Sequence, residues 1–260
     1  MRWGASWRTV RDRYLWDVAV AAGAGLLLLA AYGRGGEQAP LPDTDVLTHL
    51  SRAQALYADG DPDLALVELG KAVGRDPTNA GARYELGRRL VQRGHLDAGA
   101  AELAVALERQ PTAAAAIELG LVELKRDRPD AAADRFRLAT ELDPDSAVAW
   151  LDLGIALLRA ERPAEAVPAC ERAVKANPAN PDARHNLGFA YRLNGQPERA
   201  AAVLEELLRT APERTISLYE LASAYADLGR AADAVAALDR LLGLQPGHGP
   251  ARALRQRLAP

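Results

Sequence analysis

Residues 147–180 read AVAWLDLGIALLRAERPAEAVPACERAVKANPAN. Trp150, Leu153, Gly154 and Leu157 come first; Ala166, Cys170, Ala173 and Pro178 follow. Apolar and small side chains recur at i, i+3, i+4 and i+7, the stripe of an amphipathic helix. Glu161-Arg162-Pro163 interrupts that stripe, because proline fixes φ and lacks the N–H that a continuing helix needs. The segment is therefore predicted to form two helices of about a dozen residues each. Gly154 and Ala166 are small enough for the pair to pack closely, and Pro178 ends the second helix.

The same unit recurs along the chain. Its closing prolines are Pro77, Pro111, Pro144, Pro178, Pro212 and Pro246, spaced by 34, 33, 34, 34 and 34 residues. A Leu-Gly step recurs as Leu86-Gly87, Leu119-Gly120, Leu153-Gly154 and Leu187-Gly188, then weakens to Leu221-Ala222. The small residue opening each second helix is Ala65, Gly99, Ala132, Ala166, Ala200 or Ala234. The pattern resembles the tetratricopeptide repeat, which runs Trp, Leu-Gly, Tyr, then Ala, Phe, Ala, Pro in a unit of about 34 residues. The resemblance implies an all-α fold, a right-handed superhelical solenoid of six helix-turn-helix repeats. They would run 46–79, 80–112, 113–146, 147–180, 181–214 and 215–248, with a C-terminal cap helix at 249–260. The first repeat fits least well, with Arg52 and Ala53 where Leu-Gly is expected; terminal repeats are atypical because one face lacks a neighbour. In the cap, Ala251, Leu254 and Leu258 fall on one side and would cover the apolar face of the sixth repeat.

Composition agrees with helices. Alanine, leucine and arginine dominate and aromatics make up 5%, which favours helix over sheet. The net charge of −3 comes from mixed signs, so there is no bulk attraction to nucleic acid. A single cysteine excludes an internal disulfide and a cysteine-based zinc site. Cys170 stands where the other repeats carry Leu69, Leu103, Phe136, Leu204 and Leu238, so it is expected to fill core space rather than react.

The N-terminus is a separate matter. Residues 1–17 carry Arg2, Arg8, Arg11 and Arg13, and residues 18–32, VAVAAGAGLLLLAAY, are uncharged and mostly apolar. Fifteen residues at about 1.5 Å each fall short of a roughly 30 Å hydrocarbon layer. Tyr14, Leu15 and Trp16 would lengthen the span, and Trp3, Trp7 and Tyr32 suit interfacial belts. The leading expectation is a single-pass signal anchor at 18–32, with the basic segment cytoplasmic and the repeats in the periplasm or outside the cell. A cleaved secretory signal, using Ala31-Tyr32-Gly33, or an ordinary buried helix are the alternatives. Residues 33–45, rich in glycine and proline, read as a linker. Asp43, Thr44 or Asp45 can cap the first repeat helix.

No catalytic constellation stands out. His49, His95, His185 and His248 are scattered without ligand spacing, and no phosphate loop or nucleophile elbow is present. Asp61/Asp63 and Asp143/Asp145 beside the turns are read as helix caps. The expectation is therefore a protein that is not an enzyme and uses neither cofactor nor metal.

The family resemblance implies a concave groove lined by first-helix side chains. Carried across, its positions give Tyr57, Tyr84, Arg88, Gln92, Ile117, Leu121, Lys125, Leu151, Ile155, Arg159, His185, Phe189, Arg192 and Tyr219 as partner-binding candidates. Among these, Arg88, Lys125, Arg159 and Arg192 form an expected basic rail beside an apolar centre. Such a groove suits an amphipathic helix or peptide of a protein partner with some acidic residues. The Lys/Asn clamp that some members use for a peptide's terminal carboxylate is absent. These features predict a membrane-anchored scaffold of bacterial envelope assembly, the Ala/Arg-rich composition suiting a GC-rich bacterial genome. A secreted scaffold, self-association through the solenoid ends and the regulatory part of an enzyme are the competing readings.

Overall fold

The computed structural model describes residues 45–258. They form α1 Val46–Ala58, α2 Pro62–Arg75, α3 Ala80–Gln92, α4 Leu96–Arg109, α5 Ala113–Lys125, α6 Pro129–Leu142 and α7 Ala147–Arg159. There follow α8 Pro163–Ala176, α9 Pro181–Leu193, α10 Pro197–Thr210, α11 Thr215–Asp227, α12 Ala231–Leu244 and α13 Gly249–Leu258. The described residues contain no strand. Each frame set by the closing prolines holds one odd-numbered and one even-numbered helix, and α13 follows the last. Residues 1–17, the apolar stretch 18–32 and most of the linker lie outside the described residues. Within the described residues no helix is long and apolar enough to cross a membrane.

The ends of the helices follow a rule. In five of the six repeats the first helix is capped by a side chain that accepts an otherwise free N–H; α11, which follows Arg214, has no such bond. Asp45 Oδ1 accepts from Thr48 N at 2.8 Å, and Asn79 Oδ1 from Ala82 N at 2.9 Å. Thr112 and Ser146 hydroxyls, and Asn180 Oδ1, serve α5, α7 and α9 in the same way at 3.3 Å each. Four of the six second helices instead begin on Pro62, Pro129, Pro163 or Pro197, and the residues before them make no side-chain cap bond; α4 and α12 begin on Leu96 and Ala231. The expected capping role of Asp61 is thus corrected: proline's preset φ starts α2 without it. Asp63 pairs with Arg93 Nη2 at 2.5 Å. Asp143 accepts from Asp145 N at 3.2 Å within the turn, leaving Ser146 as the cap of α7.

Between the helices of each pair sits one residue with positive φ. Four are glycines, and the other two are Asp127 (φ 56°) and Glu161 (φ 57°). A side chain there costs energy, so these two turns form because the flanking helices are already held together.

The described residues group into two compact units that divide within α4, between Glu102 and Leu103. In the first, Ala53, Ala65, Leu69 and Leu86 make a small core with Leu50, Tyr57 and Leu90 packed around it. In the second, one buried cluster extends from Ala132 through Phe136, Leu157, Leu204 and Leu238 to Leu254 of α13. Each buried leucine contributes roughly 1.5–3 kcal/mol relative to exposure.

The Leu-Gly step explains how close the paired helices come. A Cβ on Gly120 would lie 2.5 Å from the Phe136 ring, and one on Gly154 would lie 2.5 Å from Cys170 Sγ. Gly154 therefore meets Cys170. Cys170 is fully buried, and burial, with the Glu171 charge adding, pushes its thiol up to about 12. It packs as a small hydrophobe. Tyr191 and Tyr225 tie successive repeats, donating to Glu171 and Glu205 at 2.6 Å each. Arg199 and Arg230 lie over the two rings at 4.1 and 4.4 Å.

Candidate partner-binding face

A first helix of the second unit has two faces. In α7, Ala149, Leu153, Gly154, Ala156, Leu157 and Leu158 are buried. Of the other residues, Val148, Leu151, Asp152, Ile155 and Arg159 are spaced by three and four and so lie on one stripe. The same spacing places Ile117, Leu121 and Lys125 together on α5, and Tyr219, Ser223 and Asp227 together on α11. Ile117, Leu121, Leu151, Ile155, Phe189 and Tyr219 are all half-buried. Val148 and Ile216 are 58% and 57% exposed, so this face keeps apolar surface that the fold does not cover.

At the C-terminal end this face deepens into an open recess of about 460 Å³. Arg192, Tyr219, Ser223 and Asp227 form one side, and Leu254 and Arg257 of α13 form the other. The cap helix thus has two jobs. Ala251 and Leu254 close the core, and its outer residues wall the recess.

Most cations of the expected basic rail have acidic neighbours. Arg192 Nε donates to Glu220 Oε2 at 2.9 Å, and Arg192 Nη1 lies 3.7 Å from Asp227 Oδ2. Burial keeps the Glu220 carboxyl above its usual range even with Arg192 opposing that. Arg159 Nη2 donates to Asp127 Oδ1 at 3.3 Å. In the first unit, Arg88 Nη2 donates to Glu85 Oε2 at 2.8 Å. Lys125 is exposed and makes no ion pair among the described residues. Three of the four cations are therefore partly neutralised before any partner arrives.

Other candidates are placed as follows. His185 is buried and shares a hydrogen bond with Ser217 Oγ at 3.1 Å. Burial, helped by Arg214, holds it below the usual histidine range. It packs α9 against α11 and offers little surface. In the first unit the Tyr57 ring lies 3.6 Å beneath the Arg89 guanidinium. Tyr84 is half-buried, and exposed Gln92 accepts from Arg89 Nη1 at 3.1 Å.

One residue on the face escaped the sequence reading. Asp152 is half-buried, has no hydrogen-bond or ion-pair partner among the described residues, and burial pushes its carboxyl up to about 6. Its signal was present in the repeat register, since Glu118, Asp152 and Glu220 are each the sixth residue of their repeats. No group of His, Cys, Asp and Glu able to hold a metal occurs among the described residues.

Family models described as tetratricopeptide repeat match residues 117–181 in one case and 56–119, 157–216 and 191–258 in another. No curated protein matches the chain. Among solved structures, YrrB, described as a TPR protein with an unusual peptide-binding site, superposes with a TM-score of 0.67 at 23% identity. The match covers 72% of this chain and 97% of that one. A tetratricopeptide repeat protein from Parabacteroides merdae gives a TM-score of 0.65 at 15% identity, over 82% and 85% of the two chains. PilF of Pseudomonas aeruginosa gives 0.57 at 25% identity, over 72% and 85%. These likenesses establish the arrangement of the helices.

Proposed function

Because the chain belongs to the tetratricopeptide repeat family, we propose that it is a non-catalytic scaffold that holds a peptide or amphipathic helix of a protein partner against its first-helix face. The observation that carries this reading is the apolar strip left uncovered there, with Val148 and Ile216 more than half exposed between half-buried neighbours. Apolar surface framed by charge is how docking faces are built. The peptide-binding site described for YrrB agrees with it at the level of fold.

The apolar stretch 18–32 behind an arginine-rich segment supports retention at a membrane. We therefore read the protein as a single-pass scaffold at the outer side of a bacterial cytoplasmic membrane, serving envelope assembly. The uncharged core and the small residues near Ala31 favour a second reading, release by signal cleavage. N-terminal sequencing of the mature protein decides between them, since a start near Arg34 would exclude the anchor.

Photo-crosslinking tests the docking face. A photoreactive residue at Leu151 or Phe189 of the full chain, in native membranes, is expected to capture a partner. The same residue at exposed Arg135 or Glu206, on second helices, is expected to capture none. Equal capture from both sets would end the proposal.

A further inference from the structure

The second unit treats two equivalent carboxylates differently. Asp152 and Glu220 occupy the sixth position of the fourth and sixth repeats. Glu220 is met at 2.9 Å by Arg192, the twelfth residue of the repeat before it. The matching residue before Asp152 is Leu124, which is half-buried against the apolar core. The internal cation has been exchanged for a leucine, and the carboxylate has been kept. Nearby cations do not compensate. Arg159, on the same stripe, is engaged with Asp127, Arg162 with Asp130 and Glu165, and Lys125 makes no ion pair among the described residues. A carboxylate among apolar neighbours with no partner is held at a cost. Here the neighbours are Val148, one turn before it and 58% exposed, and half-buried Leu151 and Ile155.

Building on the docking reading above, the geometry points to a partner of definite chemistry: an apolar peptide segment bearing one arginine or lysine, whose cation pairs with Asp152 while flanking apolar residues cover Val148, Leu151 and Ile155. The pair Arg192–Glu220 shows, within the same molecule, the contact that such a ligand would supply in trans. A charge-assisted hydrogen bond also fixes the register of the bound segment, which smooth apolar contact does not. The charge expected of the partner at this point is therefore positive, opposite to what a row of open cations would select.

The test pans the full-length chain, held in detergent, against a display library of random dodecapeptides. Selected peptides are then synthesised and their Kd measured on wild-type, Asp152→Asn and Leu124→Arg proteins. Enriched peptides are expected to share one Arg or Lys between apolar residues. Asp152→Asn is expected to weaken them about tenfold, the worth of one charge-assisted bond. Replacing the peptide's basic residue by norleucine should cost as much on the wild-type protein and almost nothing on Asp152→Asn, as a double-mutant cycle requires of a direct pair. Leu124→Arg should mimic the Arg192–Glu220 pair internally and weaken binding likewise. Should that variant misfold, the near-isosteric Asp152→Asn cycle still decides. Peptides without a basic residue, acidic peptides, or equal binding to wild-type and Asp152→Asn would overturn the pairing while leaving the docking face in place. So would a face occupied by a second copy of the chain, seen as a dimer in light scattering. A library that yields no binder would overturn both readings.

Discussion

Asp152 is a residue whose charge the fold disfavours, and that has a measurable consequence without any ligand. Its carboxyl titrates near 3.8 when unfolded and is pushed to about 6 by burial in the folded chain. The folded state therefore binds more protons between those values, and stability falls as pH rises through that window. The full shift corresponds to at most about 3 kcal/mol, and solvent access to a half-buried group reduces this to roughly 1–2 kcal/mol. Asp152→Asn is expected to raise stability by that amount at pH 7.5, with the gain vanishing below about pH 4, as read by urea denaturation at both pH values. A gain independent of pH would show that the charge is not its source. Glu161 stores strain of a different kind. Its φ of 57° sits where four other repeats carry glycine, so Glu161→Gly is expected to stabilise the second unit by roughly 1 kcal/mol in the same assay.

At the level of helices, the spacing of prolines and Leu-Gly steps pointed to paired helices, because both features act locally. Proline ends or starts a helix through its own φ, and glycine admits one particular neighbour. The caps were less legible. Asp61 sits before a helix like any cap, yet Pro62 makes its side chain unnecessary, whereas Thr112 and Ser146 carry the bond. The glycine argument gives a paired prediction. Gly120→Ala would drive a Cβ into the Phe136 ring, whereas Gly243, in α12, has nothing within 4 Å. Alanine favours helix by about 1 kcal/mol over glycine at either place. Gly120→Ala is expected to lose a net 1–2 kcal/mol or so through overpacking, and Gly243→Ala to gain up to about 1 kcal/mol. Thermal melts of the two variants check this. Similar gains in both would mean that the helices can slide apart at no cost. Loss of the α7 cap in Ser146→Ala should cost about 1 kcal/mol.

For the molecule as a whole, a repeat is legible because each copy states the same pattern again, and the family assignment rests on that redundancy. The character of the proposed docking face was legible only in part. Register supplies only expected positions, and charge state depends on partners remote in sequence: Arg192 is neutralised from Glu220 and Asp227, and Arg159 from Asp127. No local pattern announces such pairs, so Arg88, Lys125, Arg159 and Arg192 read only as a basic rail. The same redundancy fixes how damage should spread. In a solenoid each repeat leans on its neighbours, and stability is close to a sum of repeat and interface terms. The cap helix α13 buries Ala251 and Leu254 against the core of the second unit and starts on a bond from Ala251 N to His248 Nδ1 at 3.1 Å. A chain ended after Gly247 loses that cover and uncovers Leu238 and Leu241, both fully buried in the intact protein. Losing one buried leucine and an alanine is expected to cost about 2–4 kcal/mol. With nearest-neighbour coupling, hydrogen exchange should speed up in α11 and α12 and leave α5 to α8 close to their original protection. Uniform loss of protection from α5 to α12 would show instead that the second unit opens as one cooperative block, with its cap serving all the repeats at once.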